Sequence, residues 1–179
     1  MVTATSLAEL PAYPYIDAEG RLPQNYAQKI GAYAIFDQQH ALAHLGFSRN
    51  VLLSLKQNLI RNPDACHWVK VATINRPSKR DLETILQHWQ EEMGGSPYSD
   101  QNPAERWNQS INLHEHMTED EKVAYTDPAL NDRGRVKALK QTSRRLEAEI
   151  LRCLEARGCL EDLRFNPKLK ETGVLDIKE

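Results

Sequence analysis

The chain has 179 residues, of which 40% are hydrophobic and 27% charged. That length and balance suit one globular domain with an appendage and exclude a disordered chain, since enough apolar surface exists to offset the entropy of ordering. The net charge of −2 excludes a global electrostatic pull toward nucleic acid or an acidic membrane, so a function must be read from local patterns.

In chain order, residues 1–29 form an irregular arm, punctuated by Pro11, Pro14, Gly20 and Pro23, that is expected to wrap the domain. Its start, Met1 to Leu7, has neither the basic nor the long apolar stretch of a secretory leader. Residues 30–36 and 41–46 are short apolar runs joined by a polar link, the pattern of a β-hairpin. Ser48 stands where a helix N-cap belongs. Val51, Leu52, Leu55 and Leu59 recur behind it at helical spacing, and Pro63 closes the segment. Residues 67–74 read as a third strand. Ser78, with Asp81 three residues on, opens a helix whose apolar face is Leu82, Ile85, Leu86 and Trp89, and Gly94-Gly95 ends it. This order of strand, strand, helix, strand, helix predicts a small α/β (α+β) unit of about three strands over residues 30–96.

Residues 97–179 read as a mostly helical extension. Thr118 and Glu121 form a capping box, and Asp127-Pro128 suggests a further helix start. The longest helix is expected from about Asp132 to Arg157, stopped by Gly158, with a stripe of Val136, Leu139, Leu146, Ile150 and Leu154. That stripe is expected to pack on the core within the same chain. The alternation over residues 173–178 suggests an edge strand.

Charge is unevenly placed: residues 133–170 carry 11 Lys/Arg and 5 Asp/Glu, a net of +6 against −8 for the rest. Such a helix suits an acidic partner or, more plainly, a solvated face. His114-Glu115-His116 is not a zinc motif, so no metal site is expected there. Cys66, Cys153 and Cys159 are odd in number and lack CxxC spacing, which points to a reducing, cytoplasmic setting. No apolar stretch approaches the roughly 18 residues that span a bilayer, so no membrane role is expected.

One pattern is more specific. Gly31-Ala32-Tyr33, ten intervening residues, then His44-Leu45-Gly46 followed by Phe47-Ser48 and an apolar helix, resembles the GIY-YIG nuclease superfamily over residues 30–90. The arm and helical tail look like those of a branch found in cyanobacteria and plant plastids. In active members of that family, one Tyr from each triplet surrounds the nucleophilic water. An Arg on the first helix stabilises the phosphate, and a Glu on the next helix holds a divalent metal. The chemistry asks for these types: a base, a cation for developing charge, and a carboxylate for a hard ion. Tyr33 matches the first Tyr, and His44 stands at the second, where an imidazole titrating near neutrality is an alternative base. The Arg position, eight after Gly46, is Ser54, with Lys56 and Arg61 out of register. The Glu position falls between Ile85 and Gln87, and Glu83 is the nearest carboxylate. Losing one preorganised donor costs about 10²–10³ in rate, so the resemblance implies a catalytically degenerate domain.

The expected role is therefore a binding or assembly module with no cofactor. Nucleic acid is its first expected ligand, held weakly and salt-dependently by Arg49, Lys56, Arg61, Arg76, Lys79 and Arg80. Two alternatives stand beside it. One is a protein-interaction subunit. The other is an active Mg²⁺-dependent nuclease, in which Tyr33, His44 and Glu83 must converge on one metal-sized pocket.

Overall fold

The computed structural model describes residues 5–178; the expectation placed on Met1 to Ala4 lies outside them. The fold is α+β. Strands β1 (Tyr13–Pro14), β2 (Ile30–Phe36), β3 (Leu42–Ser48) and β4 (Trp68–Ile74) form an antiparallel sheet in the order β1-β4-β2-β3. The hairpin and third strand lie where the hydrophobic pattern puts them. The fourth strand, β1, is two residues long inside the proline-rich arm, too short and too irregular to leave a period.

Central strand β2 is covered on both faces, which is why its sequence is a continuous apolar run rather than an alternation. Tyr33 and Ile35 point to one face, where they meet Val51, Leu52, Leu55 and Leu59 of helix α1 (Val51–Arg61). Ala32, Ala34 and Phe36 point to the other, against Leu82, Ile85 and Trp89 of helix α2 (Lys79–Glu92). Gly31 is required by close approach, because a Cβ there would lie 2.5 Å from the carbonyl oxygen of Ala72 on β4.

Ser78 caps α2 as expected, accepting from the Asp81 amide. Helix α1 is capped differently. Ser48 is the last residue of β3, and Asn50 caps the helix, accepting from the amides of Leu53 and Gln28. The Ser48 hydroxyl accepts instead from the Asn50 amide. Both residue types suit a cap, and the strand running on to Ser48 decides between them.

The arm lies over both faces. The amides of Leu7 and Ala8 donate to the Glu92 carboxylate at 2.8 Å, and the Tyr15 hydroxyl donates to the Leu55 carbonyl at 2.8 Å. Beyond α2 come α3 (Glu105–Asn108), β5 (Ile111–Asn112), a 3-10 turn at Leu113–His116, α4 (Glu119–Thr126), α5 (Asp132–Ala156), α6 (Pro167–Glu171) and β6 (Val174–Leu175). The Thr118–Glu121 capping box forms in full. Asp127-Pro128 opens no helix: Asp127 closes α4 and its carboxylate accepts from the Ala129 amide, while Asn131 caps α5. β6 pairs with β5 in a separate two-stranded sheet instead of extending the main one.

Leu139, Leu146, Ile150 and Leu154 of α5 are buried in the same cluster as Tyr33 and Leu55. Arg145 grips Glu121 through two bonds of 2.8 Å and Glu149 through one of 2.9 Å, fastening α4 to α5. Arg145, hydrogen-bonding its carboxylate, draws Glu121 down to about 2. No helix among the described residues is long and apolar enough to cross a membrane.

Candidate functional site

Tyr33 on β2 and His44 on β3 lie on the α1 face of the sheet, brought there by the register that pairs Tyr33 with Gly46 and Ile35 with His44. The Tyr33 ring lies across Gly46. A Cβ at Gly46 would fall 2.6 Å from the phenol and 2.8 Å from His44 Nε2. The spacing of the two triplets thus does physical work: it puts a glycine under the aromatic and the imidazole beside it. Asn58 of α1 donates to the Tyr33 hydroxyl at 3.2 Å and to the Ser54 carbonyl at 3.0 Å.

Residues from the C-terminal extension close this face. Trp107 stacks on His44 with ring centroids 5.0 Å apart and planes 3° from parallel. The Tyr98 hydroxyl donates to the Leu45 carbonyl at 3.1 Å and sits 2.8 Å from His44 Nδ1. A hydroxyl carries one proton, and a carbonyl only accepts. When that proton goes to the Leu45 carbonyl, the His44–Tyr98 contact is made by the tautomer protonated on Nδ1, which leaves Nε2 facing Gly46. His44 is 1% exposed. Burial, with the Arg61 charge adding to it, pushes the imidazole down to about 3, so it does not titrate near neutrality as its residue type suggests. Burial likewise raises the Tyr33 phenol.

Arg61, at the end of α1, is the cation nearest this centre in character but is already engaged. Its guanidinium donates to Asp176 at 2.6 Å and to the Trp107 carbonyl at 2.8 Å, and its side chain is only 10% exposed. Asp176 also accepts from the Ser110 hydroxyl and from the Ile177 amide. Arg61 Nε and Asn58 Oδ1 are buried without a partner.

Glu83 stands elsewhere. It lies on α2, whose apolar residues pack the opposite face of the sheet, and is exposed in an ion pair with Lys79 at 3.5 Å. The sheet itself separates it from Tyr33 and His44, so the three do not converge. Among the described residues no three His, Cys, Asp or Glu side chains group as metal ligands. His114 packs edge-on against Tyr125 at 4.9 Å.

The six basic residues do not share one surface. Arg61 is buried as described, and Lys56 pairs with Glu161 at 3.5 Å beside the arm. Arg49, Arg76, Lys79 and Arg80 are exposed, and Arg49 and Lys79 line one cleft together with Phe47 and Leu82. Tyr98, Trp107, Asp176 and Phe47 are the residues that sequence reasoning missed. Trp107 alone left a signal, as a large aromatic in a polar stretch that has to find burial.

A scan against models of known protein families finds no match. A search of characterised proteins finds similarity to the chloroplastic bifunctional monothiol glutaredoxin-S16 of Arabidopsis thaliana, at 31% identity over 87 residues. The match covers 49% of this chain and 28% of that protein, so the chain spans under a third of the relative's length.

Proposed function

We propose that this chain is a catalytically degenerate GIY-YIG-like domain that binds nucleic acid through its exposed basic residues Arg49, Arg76, Lys79 and Arg80 and has no nuclease activity. The observation that carries the reading is the filling of the Tyr33–His44 face. Trp107 occupies the space above the imidazole, and Asp176 neutralises Arg61. A neutral imidazole titrating about 3 is a feeble base at pH 7. A guanidinium already paired has little charge left for a phosphate. Glu83, behind the sheet, can hold no metal over Tyr33.

The relative's name raises thiol chemistry as a rival. A redox thiol needs a lowered pKa and access. Burial pushes Cys66 up to about 12, and burial raises Cys153 as well. Cys66 and Cys153 argue that the similarity concerns a part of the relative other than a thiol site. A chloroplast protein of a plant is of the source that the plastid branch of the family implies. The cytoplasm, or an equivalent reducing compartment, fits three unpaired cysteines.

The test is incubation of the full chain with single- and double-stranded DNA and RNA in Mg²⁺ or Mn²⁺. No cleavage is expected. Cleavage that vanishes in Tyr33→Phe and in Glu83→Gln overturns the reading in favour of an active nuclease.

A further inference from the structure

We propose that the cleft between the end of β3 and the start of α2 is a binding site for single-stranded nucleic acid, with an unpaired base stacked on Phe47 and its phosphate held between Arg49 and Lys79. This rests on the nucleic-acid reading above and names the place and the form of the ligand.

The cleft holds about 300 Å³, the lower end of the range, about 300–1,000 Å³, that small ligands occupy. Its apolar lining is Ile30, Phe47, Pro77 and Leu82. Phe47 is 39% exposed. It faces the α2 side of the sheet, by alternation with His44 and Gly46 on the other side. β3 is an edge strand, and its outer carbonyls at Ala43 and Leu45 are covered by Asn102 and Tyr98. The cover stops before Phe47, so the ring and its cleft stay open where the rest of the edge is closed.

The charges match an anion. Among the described residues Arg49 and Lys79 are the ionisable residues that line the cleft, no carboxylate lines it, and Arg76 and Arg80 are exposed beside them in sequence. Among the described residues the one carboxylate paired with these four is Glu83 on Lys79, at 3.5 Å with both side chains exposed. Such pairs contribute little and yield readily to a phosphate. An aromatic platform beside cations is the arrangement that binds single strands, because every base has a π-face and the contact tolerates any sequence. A paired base is stacked on its neighbours and offers Phe47 only an edge. The cleft therefore selects unpaired nucleotides.

The experiment is fluorescence anisotropy of the full chain with a labelled oligothymidylate of about 12 nucleotides, within the site sizes of single-strand binders, against a duplex of equal length, over a range of salt. The single strand is expected to bind more tightly. Phe47→Ala should weaken it by about ten-fold or more, the effect of losing one stacked base. Phe47→Trp should restore binding and add a fluorescence that the oligonucleotide quenches. Arg49→Glu with Lys79→Glu should reduce the slope of log affinity against log salt by about 0.7, as one lost phosphate on a single strand requires. Binding that persists unchanged in these variants, or a preference for duplex, overturns this site while leaving the nucleic-acid reading in place. No binding to either probe at low salt overturns both.

Discussion

Acidification provides the sharpest test of the buried histidine. His44 titrates at about 3 in the folded chain and at 6.5 when free. The unfolded chain therefore takes up this proton first, and stability falls as pH drops from 6.5 toward 3, while nothing is gained above 6.5. Each pH unit inside that window costs about 1.4 kcal/mol, so the loss reaches about 2 kcal/mol by pH 5. That is a large share of the roughly 5–15 kcal/mol that stabilises a domain. Glu121 acts in a different window. Hydrogen bonding to Arg145 holds it at about 2, below its usual 4.5, so its contribution is intact above 4.5 and lost only below it. Urea unfolding followed by tryptophan fluorescence, between about pH 7.5 and pH 5, measures the His44 contribution. His44→Gln lowers stability at neutral pH but should flatten the slope. A wild-type chain equally stable across that range, or a His44→Gln slope as steep as the wild type's, refutes the reasoning.

Two further substitutions test the packing. Ile150→Asp puts a charge into the cluster shared by α5, α1 and β2 and should cost about 2–5 kcal/mol. Urea titration reads it, and residues 1–125 alone should melt well below the full chain. Unchanged melting of that fragment contradicts the shared core. Gly46→Ala sets a methyl 2.6 Å from the Tyr33 phenol and should cost about 1–3 kcal/mol through overpacking, measured as a shift in the urea midpoint.

The elements of residues 30–92 were legible because their local signals, the Ser48 cap apart, agreed with the tertiary outcome. The hairpin runs, the Ser78 cap and the Leu82–Trp89 stripe all follow backbone rules acting over a few residues. Gly46 and Tyr33 were legible as motif residues, and strand register makes them partners. Which residues close the Tyr33–His44 face was not legible, although Trp107 signalled that it must be buried somewhere. Trp107 lies 63 residues beyond His44 in the chain, and Asp176 reaches Arg61 across 115 residues. Neither leaves a periodicity or cap to read. The basic set illustrates the same limit: Arg49 and Lys79 meet at one cleft, whereas Arg61, just before the turn at residues 63–65, is folded inward by a carboxylate near the C-terminal end of the chain. Charge is visible in a sequence, but its burial is decided by what packs on it.

Trp107 and Tyr98 pack the Tyr33–His44 centre as structural core, which implies that a ligand meets the chain elsewhere. Nitrogen-15 NMR of the His44 imidazole, with and without the oligothymidylate, measures this directly. The account predicts a neutral ring protonated on Nδ1, unchanged down to about pH 4 and unmoved by the oligonucleotide. An imidazole that titrates near its free value and shifts when the oligonucleotide is added contradicts it.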